Sequence, residues 1–436
     1  MSLPDSASQN SVPKNHRRSW APAFFTIWTG QAVSLLGSQM VQFALIWWLT
    51  KSTGSATVLT TASLVGILPR VILGPFVGAL VDRWNRRKIM IFADTGIAAA
   101  TLLLAYLFSI GQAEIWTVYL ILFLRSLGSG FHSPAMTSST SLMVPDEHLT
   151  RIQGINQTLQ NGLNIVSAPL GALLLEFLSV DGVLYIDVFS AAFAVVPLFF
   201  IPIPQPKNGS LSQEKRLVRS VWKDFKQGLQ YVVRWPGLRF ILIMAMFINM
   251  IVTPAFALLP LLVRDHLGGD ALQLGWVNSA FGIGAVAGGL LLSIWGGFKR
   301  KIITSQMGLI GLALGMAVIG FASEGSLAAV ICGVAVVGIT LPLANGPITA
   351  VIQSVVDPEV QGRVFTLVGS LASLMSPLGL IAAGPLADIF SIQIWYLVGA
   401  AVNLGFGIAG LLSPALMTIE AQNTPRHREN PAPEAA

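Results

Sequence analysis

Four charged residues fall inside stretches of this 436-residue chain that are otherwise too apolar to hold charge: Arg70, Asp94, Arg125 and Asp187. Their types suit proton and ion handling. Burial raises the proton affinity of a carboxylate and a neighbouring guanidinium lowers it, so a carboxylate that exchanges between those surroundings can carry a proton. Asp94 is the first candidate for such a carrier, coupled to Arg125; a fixed ion pair with Arg70 or Arg125 is the competing reading. Asp187 lies early in its apolar stretch, where it can reach an outer interface. An arginine in hydrocarbon is expensive and faces a cavity or a partner. Arg125 and His132 are spaced to share one helix face, and His132 reads as a hydrogen-bonded packing residue.

Amides and hydroxyls form a second pattern. Gln31, Ser34, Ser38 and Gln42 repeat on one helical face, as do Gln157, Gln160, Asn161, Asn164 and Ser167. Thr366, Ser370 and Ser373 add a weaker line. Amides turned to lipid would be costly, so these faces point to a wet interior. With Arg70, the residues Gln31, Ser34, Ser38, Gln42, Gln157, Gln160, Asn161 and Asn164 are the candidates to line a substrate cavity. Hydrogen bonding between helices is the plainer alternative.

The elements that must position these groups follow from composition. Charged residues make up 11% of the chain, against about 25% in soluble domains. The hydrophobic share is 53%, before 42 glycines are added, and the mean hydropathy is +0.70. That excess exceeds what one buried core absorbs and excludes a soluble enzyme, a disordered protein and a disulfide scaffold. Cys332 is the sole cysteine, which rules out an intramolecular disulfide. Windows long enough for a hydrocarbon core of about 30 Å recur near 23–49, 56–80, 89–110, 114–138, 156–178 and 183–204. Six more follow near 238–262, 272–296, 302–323, 327–348, 363–386 and 392–416. The expected class is therefore an all-α integral membrane protein with twelve transmembrane helices in two pseudo-symmetric six-helix bundles.

The expected domains are an N-terminal tail (1–22), a first bundle (23–204), a linker with an amphipathic helix over 211–233 (205–237), a second bundle (238–416) and a disordered tail (417–436). The net charge of +6 and isoelectric point near 9.6 could suggest nucleic acid. Position decides otherwise: twenty-two of the 26 Lys and Arg fall in the tails and in loops on one side, the signature of cytoplasmic loops. Both termini are thus expected in the cytoplasm, with the lipid bilayer as partner and no nucleic acid. The halves also repeat: Val144, Glu147, Arg151, Leu174 and Glu176 correspond to Val356, Glu359, Arg363, Leu386 and Asp388. Parallel repeats of this kind build transporters whose substrate site lies between the halves.

The loop after the second span reads Gly78-Ala79-Leu80-Val81-Asp82-Arg83-Trp84-Asn85-Arg86-Arg87-Lys88. It resembles the signature loop of the major facilitator superfamily, with Asn85 where the family usually has glycine; both residues tolerate a left-handed backbone. Arg125 followed by Gly128 and Gly130 is similar to the family's second motif, and Ala168-Pro169-Leu170-Gly171 to the fifth-span motif of drug:proton antiporters. The stretch from Phe131-His132-Ser133-Pro134 through Val144-Pro145-Asp146-Glu147 to Arg151 and Asn156 resembles the macrolide-efflux-like branch.

The resemblance implies a major facilitator fold and proton-coupled efflux of small amphipathic, macrolide-like drugs from a monomer in the bacterial inner membrane. Gly78 would allow close helix contact and Asp82, Arg83 and Arg87 would latch a cytoplasmic gate. Pro169 and Gly171 would bend the fifth helix. Transport of a specific metabolite, siderophore or lipid by the same fold stays open. No nucleotide-binding loop, His-Glu-x-x-His or cluster of catalytic carboxylates occurs, so no enzyme activity, metal or cofactor is expected.

Overall fold

The computed structural model describes residues 20–81, 83–205 and 225–420, without the side chains of Pro75, Phe76 and Ala79. Among the described residues there is no strand. The first half holds six long helices: α1 (Trp20–Thr53), α2 (Ala56–Val81), α3 (Arg86–Ser109), α4 (Ile115–Met143), α5 (Asp146–Phe177) and α6 (Val180–Phe200). A short α7 (225–234) precedes the second half. There α8 (Pro236–Leu261) passes into a π-helical turn, Leu262–His266, and is followed by α9 (Ala271–Trp295), α10 (Lys301–Gly320), α11 (Leu327–Val355), α12 (Pro358–Ile389), α13 (Ile392–Leu412) and a terminal turn, α14 (Pro414–Met417).

The twelve long helices expected from hydropathy are present, and local chemistry sets their ends. Asp270 and Gln273 form a reciprocal capping box at the start of α9, while Gly296 ends that helix in the left-handed region at φ 74°, a conformation open to glycine without strain. Several helices overrun the apolar windows; α5 starts at Asp146 because its first turn is acidic and favours the helix N-terminus. Ten of the twelve are long and apolar enough by themselves to cross a membrane. The two that fall short are α4 and α5, which carry Arg125, His132 and the amide stripe.

Small residues set the closest helix approaches. A Cβ on Gly30 would meet the Phe193 carbonyl oxygen at 2.1 Å, which holds α1 against α6. In the second half the pairs Gly284/Gly288 and Gly311/Gly315 both pack on α11, against Ala335, Gly338 and Ile339 in one case and Gly333, Val337 and Thr340 in the other.

The halves meet along α2 with α12 and α5 with α9. These contacts are tight toward the end where α1 leads into α2. Gly384 of α12 sits on Thr57 and Thr60, and Gly275 and Gly282 of α9 sit on Pro169 and Ile165 of α5. Toward the opposite end, which carries the basic loops, a Cβ on Gly74 of α2 would meet nothing within 4 Å.

Two boundary readings change. Of the amphipathic helix expected over 211–233, the part from 225 is described, as α7; the rest lies outside the described residues, as does most of both tails. The segment after α13 is ordered through Glu420: Ile419 is fully buried, and Glu420 Oε1 accepts from the Ile302 backbone N–H at 2.8 Å. An orphan donor at the first turn of α10 anchors what hydropathy alone assigned to a tail.

Candidate functional site

Arg125 lies at the centre of the first half, with Nη1 2.6 Å from Oδ2 of Asp187 on α6. The same nitrogen donates to the Thr101 hydroxyl on α3, and Nη2 donates to the Ser38 carbonyl on α1 at 3.3 Å. Ser38 gives its hydroxyl proton to Asp187 Oδ1 at 3.0 Å. Four helices therefore converge on one ion pair whose side chains are 8% and 3% exposed. A buried pair is tolerated when its remaining donors and acceptors are satisfied, and here both carboxylate oxygens have partners. Gly37 makes room for it, since a Cβ there would stand 2.4 Å from Ser190 Oγ and 3.0 Å from Asp187 Oδ1.

This corrects two readings. Asp187 is buried rather than at an outer interface, and Asp94 is an ion-pair partner of neither Arg125 nor Arg70. Helix rise explains why. Asp187 lies about 10 Å along α6 and Arg125 about 15 Å along α4 from the same end, whereas Asp94 lies about 12 Å along α3 from the other.

Asp94 meets different neighbours. Its Oδ2 accepts from Gln31 Nε2 at 2.9 Å, and His132 Nε2 stands 3.4 Å from Oδ1 without hydrogen-bond geometry. That contact is an ion pair only when the imidazole is protonated. His132 is thus more than a packing residue: with Asp94, Asp187, Gln31, Ser34 and Ser38 it borders a cavity of about 60 Å³.

Two larger spaces adjoin it at His132. One, of about 760 Å³, lies between α1, α2 and α4 and is bordered by Arg70, Gln42, Arg125 and Gln160. The other, of about 310 Å³, is bordered by Gln31, Gln157 and Gln160. Asn161 and Asn164 border none of the three; Asn161 instead accepts from Gln157 at 3.1 Å. Gln39, beside the stripe of α1 rather than on it, was missed: it borders the cavity of about 760 Å³ and accepts from Ser167 at 3.3 Å.

Asp82 of the signature loop lies outside the described residues. Arg83 is exposed. Arg87 donates to the carbonyls of Leu198, and of Phe199 at 2.6 Å, at the end of α6, so it caps a helix within its own half. Gly78 makes no close helix contact, since a Cβ there would meet nothing within 4 Å. Asn85 is not left-handed: at φ −66° and ψ 108° it is the N-cap of α3, its side chain accepting from the Lys88 N–H. In α5 the helix runs continuously through Pro169 and Gly171. Gly171 packs on Met40 and Phe43 of α1, and Pro169 lies under Gly275 of α9. Among the described residues no three His, Cys, Asp or Glu side chains are grouped to hold a metal ion.

Twelve long helices in two halves and a matching family model over residues 27–380, described as Major Facilitator Superfamily, settle the family. The chain belongs to the major facilitator superfamily. As a member of that superfamily it is a multi-pass membrane transporter for small molecules. Among similar superfamily proteins, Macrolide efflux protein A of Streptococcus pyogenes is 34% identical over 89% of this chain and 95% of its own. Multidrug efflux pump Tap of Mycolicibacterium fortuitum is 26% identical over 89% of this chain and 95% of its own. A solved POT family transporter in complex with a thioalcohol-conjugated peptide superposes with a TM-score of 0.70 at 12% identity, covering 90% of this chain and 96% of that one. That last likeness concerns the superfamily fold alone.

Proposed function

We propose that this transporter exports small amphipathic compounds, macrolides being the first class to test, by alternating access driven by inward proton flow. It would act as a monomer in the bacterial inner membrane with both termini in the cytoplasm. One observation carries the reading: the cavity between α1, α2 and α4 lies on the side of the basic loops, while the other end is sealed. Gly74 and Val77, near the basic end of α2, border that cavity. At the sealed end Asp388 bonds to the start of α2, and Arg264 donates to the Thr50 carbonyl. With the basic loops cytoplasmic, a compound would load from inside. The named efflux relatives support the direction.

In this reading Asp94, facing His132, exchanges the proton, and Arg125 holds the centre of the first half through Asp187. Asp82 with Arg83 and Arg87 forms the cytoplasmic gate, and the amides of α1 and α5 bind substrate through their polar faces. The test is everted membrane vesicles energised by respiration: they should accumulate a labelled macrolide or another amphipathic drug, and a protonophore should abolish it. Vesicles that accumulate no member of a broad amphipathic panel above empty-vector controls would overturn the proposal.

A further inference from the structure

The charges around the cavity between α1, α2 and α4 do not balance. The space of about 760 Å³ is bordered by Arg70, Arg125 and His132, and no carboxylate of the described residues borders it. Arg125 is already neutralised by Asp187. Asp94 is held by Gln31 and faces His132 across the smaller cavity. Arg70 is left over. It is exposed to the cavity and has no hydrogen-bond or ion-pair partner among the described residues.

Its place in the helix makes that unusual. Arg70 sits about 16 Å from the basic end of α2 and about 21 Å from the other, too deep for the side chain to reach bulk water past its own helix end. A guanidinium at such depth is kept where it can pair or face a wet cavity. Its planar fork of donors matches a carboxylate, sulfonate or phosphate group in a two-point contact. Space for such a group exists: Gly130 of α4 is the neighbour across from it, where even a Cβ would stand 3.9 Å from Arg70 Cγ. Ser129 and Gln42 border the same cavity as neutral partners.

We infer that Arg70 is the anchor for an anionic group on the transported compound, so that the substrate class is amphipathic anions rather than cations. The inference rests on the exporter reading and narrows it, with anions in place of amine-bearing macrolides as the first class to test. The apolar part of the compound would lie along Leu35, Ile67 and Leu73, which border the cavity. An amine-bearing drug would meet an uncompensated positive charge there.

The experiment uses the full chain in lipid nanodiscs with three matched probes: 11-(dansylamino)undecanoate, its methyl ester, and a dansyl alkylamine of equal chain length. Fluorescence titration should show the carboxylate binding about tenfold or more tighter than the ester, as charge-assisted bidentate contacts require, with the amine weakest. Arg70→Gln should erase the carboxylate preference over the ester, while Arg70→Lys should keep part of it. Equal binding of the three probes by the wild-type protein, or a preference that survives in Arg70→Gln, overturns the assignment. The wild-type comparison needs no variant to fold. Respiration-driven accumulation of any member of a broad amphipathic panel in everted vesicles reports separately on export, so either reading can fail while the other stands.

Discussion

Asp388, near the end of α12 in the second half, accepts from the backbone N–H groups of Ala56 at 2.7 Å and Thr57 at 3.0 Å, in the first turn of α2 in the other half. Its oxygens also take the hydroxyls of Thr57 at 2.6 Å and Ser55 at 3.1 Å. A carboxylate from one half thus caps a helix of the other. The repeat-related pairing, α5 with α9, lacks this device: α9 is capped by its own Asp270, and Glu176, the counterpart of Asp388, is exposed. The two seams between the halves are therefore closed by different chemistry.

Removing this cap should open the sealed end. A helix cap contributes about 1 kcal/mol, so Asp388→Ala should raise the population open at that end about fivefold. In a Cys332→Ser background, a cysteine at Thr60, which is 2% exposed, reports this. Its labelling by an impermeant maleimide added outside cells should quicken by a similar factor. Unchanged labelling would remove Asp388 from the seal.

The ion pair at the centre of the first half should behave as a unit. Asp187→Asn leaves the Arg125 charge buried without its partner, a change that costs about 3–5 kcal/mol. Thermal unfolding in detergent should therefore fall sharply for that variant. The double replacement Arg125→Met with Asp187→Leu should recover most of the loss, since apolar groups of similar volume often match a buried pair. A double variant no more stable than the single one argues against a burial penalty.

Two glycines of the first half should give opposite results. Gly30→Ala places a methyl group on the Phe193 carbonyl at 2.1 Å, and overpacking of this kind costs about 1–3 kcal/mol. Gly78→Ala meets nothing within 4 Å and lies within α2, where alanine favours the helix by about 0.5–1 kcal/mol. Melting curves of the two purified variants should bracket the wild type, Gly30→Ala below and Gly78→Ala at or above it.

Proton coupling can be separated from substrate binding at Asp94. Asp94→Asn keeps an acceptor for Gln31 but cannot exchange a proton. In proteoliposomes it should lose efflux driven by a pH gradient while still exchanging substrate across the membrane at equilibrium. Full gradient-driven activity in Asp94→Asn would falsify its role as carrier. His132→Gln should show a weaker form of the same defect, with the pH dependence flattened.

Hydropathy, lysine and arginine placement and the internal repeat were enough to read twelve helices in two halves from the sequence, because a bilayer imposes length and apolarity on each span independently of its neighbours; the family came from the resemblance of the loop Gly78–Lys88 and the motifs of the fourth and fifth spans. The polar stripes of α1 and α5 were legible for the same reason: periodicity is local to one helix. Residue pairing was not local. Arg125 had two carboxylates within reach on paper, and only the packing of α3 against both α4 and α6 assigned Asp187 to it and left Asp94 to Gln31 and His132. Depth along each helix already separated the two aspartates, but the face that each turns inward depends on where its helix stands in the bundle. The lack of a partner for Arg70 among the described residues and the cap from Asp388 are relations between helices far apart in the chain. They arise from tertiary packing, which sets which donors find acceptors and which charge is left facing water.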